Sequence, residues 1–313
     1  MKKIVFVIIS VVMLSATFSC EHKELCSDHP HVVEVRVVFD WREAPDANPA
    51  SMSLYLFPVG GGEVLRYDFT NRSGGIIRVP GGVYGALCLN SDTENIRYWN
   101  TERRETFRVT TREATLSSGF AFPVAGREDM SRADNEPVML PTDMIWGDHM
   151  VRAELYRRPA LTITLEPKVL ACRYTVEIRN AENLKYVSGI SGVLSGLADG
   201  LFAGKAETTD ERVTIPFDGV ISGDKTVVTG ELLTFGQCHS KRGTHHLTVC
   251  TVLSDGSKWK HIYDVTNQVH TAPDPRNVHI LVDGLPVPKP ITNGGGFRPS
   301  VSEWETEEEN IEM

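Results

Sequence analysis

The chain has 313 residues, with 32 basic against 41 acidic side chains and a formal net charge of -9. That acidic balance argues against a nucleic-acid partner, whose phosphates need a basic footprint; the paired basics Arg103-Arg104, Arg157-Arg158 and Lys241-Arg242 are scattered and form none. The length predicts two domains, at roughly 100 to 200 residues each.

The first predicted element is a leader over residues 1–19. Lys2-Lys3 precede an apolar run from Ile4 to Leu14, and the mixed residues Ser15 to Ser19 then end at Cys20, the three-part layout of a signal peptide. The run is too short to span a bilayer, which takes ~20 apolar residues. A cysteine directly after such a run is the nucleophile for thioether lipidation, so Cys20 is expected to be the acylated first residue of the mature chain, with the lipid bilayer as its partner. Phe18 departs from the small residue usual two positions before that cysteine. Residues 20–31 read as a polar, lipidated tether that extends at most ~35 to 40 Å. Beyond Cys20 there are Cys26, Cys88, Cys172, Cys238 and Cys250, an odd number that is no disulfide framework. Cys88, Cys172 and Cys250 lie in apolar runs and read as small buried hydrophobes.

Structure is predicted to begin just after the tether. Val33, Val35, Val37, Phe39 and Trp41 share one face at period two, with Glu34, Arg36 and Asp40 opposite, the pattern of a half-buried strand. Short runs at Ser53 to Phe57, Val64 to Phe69, Ile76 to Val79, Val83 to Leu89 and Thr106 to Thr110 follow, each bounded by turn residues such as Gly60-Gly61-Gly62 or Pro80-Gly81-Gly82. The pattern then dissolves into a polar stretch from Gly119 to Pro141, read as a long loop, and Leu140 to Asp148 reads as one helical turn with Thr142 as its N-cap and Gly147 beyond its end. A second set of strands runs through Ala160 to Glu166, Cys172 to Ile178, Val187 to Leu194, Arg212 to Phe217, Thr226 to Phe235, Thr244 to Leu253, Lys258 to Val265 and Val278 to Val282. Regular short strands with turn signals and almost no 3.6-residue period predict an all-β chain of two tandem β-sandwich domains. The expected division is 32–158 for the first, 159–285 for the second, and 286–313 for a Pro/Gly-rich linker and acidic tail, where Pro286, Pro288 and Pro290 stiffen the chain.

Several strings then resemble a known family. Cys20-Glu21-His22-Lys23-Glu24-Leu25-Cys26, Val38-Phe39-Asp40-Trp41, Met52 to Pro58, Asn90-Ser91-Asp92-Thr93-Glu94, Trp146-Gly147-Asp148, Val282-Asp283-Gly284-Leu285 and Asn293 to Phe297 together resemble a Bacteroidales lipoprotein family catalogued as domain of unknown function 5119. That family is similar in layout to fimbrillins and fimbrium-anchor lipoproteins. Ile77 to Tyr84 also resembles a strand, proline-glycine turn and tyrosine-bearing strand of transthyretin-like domains. The resemblance implies two transthyretin-like or fimbrillin-like sandwiches behind a lipidated cysteine, an outer-membrane location, and fimbrial subunits as partners. It leaves open whether the chain faces the periplasm or the outside.

No enzyme is expected. There is no G-x-S-x-G elbow among the serines, and the glycine runs lack the lysine and helix start of a phosphate cradle. Cys238, His239, His245, His246 and Cys250 are ligand types that suit zinc, but they lack its short spacings, and adjacent His245 and His246 must point to opposite faces of a strand. They read as strand histidines with a turn-proximal thiol, so no metal or other cofactor is predicted. Two aromatic features are candidates for contact. Tyr98-Trp99, followed by Asn100, Thr101 and Glu102, is a candidate stacking platform for a sugar ring. Trp304, alone in the acidic tail, is a candidate partner contact.

Overall fold

The computed structural model describes residues 32–114, 136–156, 160–240, 243–290 and the backbone of 305–307. Its elements run β1 (Val32–Phe39), β2 (Met52–Pro58), β3 (Leu65–Phe69), β4 (Gly74–Pro80), β5 (Gly82–Asn90), β6 (Ile96–Trp99), β7 (Arg108–Thr111), β8 (Trp146–Leu155), β9 (Leu161–Leu165), β10 (Lys168–Val169), β11 (Cys172–Ala181), β12 (Val187–Ala198), β13 (Gly200–Phe202), β14 (Glu207–Thr208), β15 (Arg212–Ile221), β16 (Val228–Thr234), β17 (His246–Leu253), β18 (Lys258–Asp264), the short helix α1 (Thr266–His270), β19 (Asn277–Leu285) and β20 (Glu305–Glu307).

The period-two pattern of β1 is realised directly. Val33, Val35, Val37 and Phe39 are buried while Glu34 and Arg36 face solvent. β1 lies between antiparallel β4 and parallel β9, and this layer packs on a five-stranded sheet of order β10-β8-β5-β2-β3. Their shared core includes Leu54, Leu56, Ala86, Cys88 and Ile163, with Phe39 edge-on to Phe69 at 5.4 Å. Each fully buried aliphatic chain contributes about 1.5 to 3 kcal/mol.

The run Ser53 to Phe57 has no polar alternation because both faces of β2 are covered. Leu54 and Leu56 enter the first core, whereas Tyr55 and Phe57 enter a second one with Phe107, Val109, Leu201 and Phe235. That second core binds the two halves of the chain together. Its outer wall is a four-stranded sheet, β14-β13-β7-β6, which takes two strands from each half. Arg108 on β7 pairs with both Asp199 and Glu211 across the same seam.

The second sandwich is one folded-over eight-stranded sheet, β19-β11-β16-β15-β12-β17-β18-β20. β15 makes the fold-over, pairing with β12 along Arg212 to Asp218 and with β16 along Gly219 to Ile221. The corner is filled by the Phe217 ring. A Cβ at Gly192 or Gly230 would come within 2.3 or 2.4 Å of that ring, so both positions exclude a side chain.

Three readings of the sequence are corrected in detail. Ala160 to Glu166 was expected to head the second strand set, yet β9 runs parallel to β1 and buries Ile163 and Leu165 in the first core. Leu140 to Asp148 is no helical turn, since an extended segment leads into β8, where Gly147 lies against β5. Six strands, β6, β8, β10, β13, β14 and β20, escape the sequence pattern.

Candidate interaction edges and faces

The residues singled out from the sequence are separated by the fold. His245 is 1% exposed, with Nδ1 at 3.1 Å from the Ser195 carbonyl and its ring edge-on to His270 at 5.1 Å. Burial pushes its pKa down to about 4, so it is neutral in the folded protein at neutral pH. Cys238 lies in the seam core instead, with burial raising its thiol pKa, and Cys250 is buried in β17. Cys88, Cys172, Cys238 and Cys250 are all buried, and none is in a disulfide. Among the described residues no group of three or more His, Cys, Asp or Glu side chains could hold a metal ion.

Tyr98 and Trp99 point to opposite faces of β6. Tyr98 packs on Phe107 with ring centroids 5.6 Å apart, and burial pushes its pKa up to about 12. Trp99 is 57% exposed, and its indole N–H donates to Thr110 Oγ1 at 2.9 Å, which pins the ring beside the neighbouring strand. Of the two aromatics, only Trp99 presents a ring to solvent. Cys20 and Trp304 lie outside the described residues.

The sheet edges carry most of the remaining detail. An edge strand offers unpaired N–H and C=O groups to any extended chain, so native edges are guarded. On β19, Leu281 exchanges two hydrogen bonds with the Gln268 side chain, the amide donating to its carbonyl at 2.9 Å and its N–H donating to Gln268 Oε1 at 2.8 Å. On β4, the Tyr67 hydroxyl donates to the Arg78 carbonyl at 2.7 Å. On β8, a bulge opposite Gly85 breaks the register. The edge of β18 is covered by the chain itself: β20 lies parallel to it, with Trp259, Lys260 and His261 opposite Glu305, Thr306 and Glu307. β18 is basic at Lys258 and Lys260, while the tail sequence from Glu303 to Glu309 is acidic.

Neither Gln268 nor the pairing of residues 305–307 was legible in the sequence. A glutamine in a five-residue helix is ordinary, and only the register of β19 gives it a partner.

The fold and these edges define an all-β, two-sandwich protein, the architecture also seen in Bacteroides proteins described as adhesins. A crystal structure of a candidate adhesin from Bacteroides ovatus superposes with a TM-score of 0.65 at 21% identity, covering 86% of this chain and 99% of that one. A candidate polysaccharide binding protein from Bacteroides thetaiotaomicron has a TM-score of 0.51 at 8% identity, covering 80% and 90%. Both likenesses are of fold. The chain belongs to the family described as Domain of unknown function (DUF5119), whose model matches residues 19–218. It is also 25% identical, over 97% of its length and 95% of the relative's, to a Bacteroides ovatus protein provisionally named fimbrium anchoring subunit Fim4B.

Proposed function

We propose that the chain is a non-enzymatic, fimbrium-associated subunit, held in the outer membrane by lipid on Cys20 and contacting its partners through a sheet edge. The observation that carries the reading is the pairing of β20 with β18, because it marks that edge as able to take an added extended strand. Strand addition draws affinity from main-chain hydrogen bonds and specificity from alternate side chains. The similarity to a relative named for fimbrium anchoring, along nearly the whole of both chains, supports the same role. Among the described residues no helix is long and apolar enough to cross a membrane, and the leader ending at Cys20 supports a lipid attachment.

The test is truncation after Pro290, which keeps Val287 in the core, where it is 1% exposed and its carbonyl accepts from Asn183 Nδ2 at 2.7 Å. Loss of residues 291–313 is expected to change the cross-linking of the lipoprotein to fimbrial subunits. Unchanged cross-linking contradicts the edge mechanism.

A second reading rests on Trp99, whose pinned and exposed ring suits stacking on a sugar. A surface glycan-binding lipoprotein would show glycan-array binding that Trp99→Ala abolishes; absence of binding removes this reading.

A further inference from the structure

The strand registers place a set of distant residues at one end of the first sandwich. Val32 starts β1 opposite Pro80 at the end of β4, Gly82 at the start of β5 pairs with Leu155 at the end of β8, and the Val59 N–H donates to the Val83 carbonyl at 2.9 Å. This end therefore gathers the start of β1, the loop after β2 and the end of β8. The chain leaves the first sandwich at the opposite end, where Phe39 pairs with Leu165 and β10 pairs with Trp146 and Gly147 before β11 begins.

The gathered end is apolar on its outside. Of the seven exposed large hydrophobic side chains among the described residues, three stand here: Val32 at 61%, Val59 at 59% and Tyr156 at 48%. Apolar exposure collected at one end needs an explanation that single exposed residues do not. Two ion pairs lie nearby, Arg78 with Glu34 at 2.8 Å and Arg152 with Glu154 at 3.0 Å. The loop that follows Val59 is Gly60-Gly61-Gly62, and nothing lies within 4 Å of a Cβ built on Gly60 or Gly61.

The occupant of this face follows from where the chain outside the described residues attaches. Cys20 lies 12 residues before Val32, a length of chain that reaches at most ~40 Å. A lipid on Cys20 therefore holds a bilayer surface within reach of the end of the molecule from which β1 starts. We propose that the end formed by Val32, Val59 and Tyr156 rests on the lipid surface as a second membrane contact, which stands the first sandwich on the bilayer and carries the second sandwich away from it. Valine side chains bury apolar area at such a surface, and tyrosine suits the headgroup level. The proposal rests on the lipid-anchor reading.

The test uses the full lipidated chain with Cys26→Ser, reconstituted into phosphatidylethanolamine/phosphatidylglycerol vesicles. A nitroxide is placed at Val59→Cys or Tyr156→Cys, with Val220→Cys, 63% exposed in the native chain and in the second sandwich, as the control. The four buried native thiols are shielded from labelling. The expected result is flotation with the vesicles and a several-fold higher ratio of oxygen to nickel-chelate collisions at 59 and 156 than at 220. Flotation with equal ratios at all three positions overturns this proposal and leaves the anchor standing. Failure to float overturns both.

Discussion

Gln268 and Leu281 hydrogen-bond as though the glutamine side chain were a residue of a further strand, occupying both the carbonyl and the N–H that Leu281 turns outward from β19. The guard comes from α1, which leaves β19 without an open position at the middle of its edge. The outer edge of β19 is thus closed by a side chain, and that of β18 by β20 of the polypeptide tail.

Replacing Gln268 by Ala removes two hydrogen bonds, each worth about 1 kcal/mol net, and opens the edge to pairing with other chains. The variant should lose about 2 kcal/mol in urea unfolding and show concentration-dependent self-association by light scattering. Wild-type stability without association would show that Leu281 needs no guard.

Glu136 is 6% exposed; its carboxylate accepts from the Gly196 N–H at 2.8 Å and lies 3.0 Å from Arg212 Nε. It joins the segment between β7 and β8 to strands β12 and β15 of the second half. Removing the carboxylate leaves the Gly196 N–H without its acceptor and the partly exposed Arg212 without its counter-ion, so Glu136→Ala should cost about 2 kcal/mol and lower the thermal midpoint. A loss under about 0.5 kcal/mol, the range of ordinary surface substitutions, would mean that the pair holds nothing.

Phe107 is fully buried and meets Tyr55 at 4.9 Å, Phe57 at 6.3 Å and Tyr98 at 5.6 Å. Because this seam core draws on both halves, the two sandwiches should unfold together in a single calorimetric transition. Phe107→Ala should cost about 3 to 5 kcal/mol and separate the transitions. Two resolved transitions in the wild-type chain would contradict the shared core.

His245 sets a pH dependence. Its folded pKa lies near 4, below the ordinary 6.5, because burial disfavours the imidazolium. The unfolded chain therefore binds the extra proton more readily, and the stability this group contributes is fully present above pH ~6.5 and lost as pH falls toward ~4, by on the order of 3 kcal/mol. His245→Asn should flatten that decline in urea titrations at pH 7 and pH 5. An unchanged slope would assign the decline to other groups.

How much of this was legible in the sequence depended on whether a strand's partners were local. The alternation from Val33 to Phe39 identifies β1 and its buried face without further information. Ser53 to Phe57 is recognisable as a strand, yet its double burial depends on Leu201 and Phe235, far along the chain. Gly147 resembled a helix stop, whereas a Cβ there would come within 2.7 Å of the Cys88 carbonyl oxygen. The glycine is required by the approach of β5, which no local pattern reports. Tyr98 and Trp99 were found as a pair, but β6 is only four residues long, so the alternation that splits them was too brief to read. Gln268 carried no signal, since its role is created by the register of β19.

Membrane attachment is proposed to rest on a lipid at Cys20, and the direct measurement is the cellular fractionation of Cys20→Ala. This variant, folded by circular dichroism, is expected to move from the membrane fraction to the soluble one, because the lipid is the attachment that the replacement removes. A Cys20→Ala protein that stayed in the membrane fraction as the wild type does would contradict it.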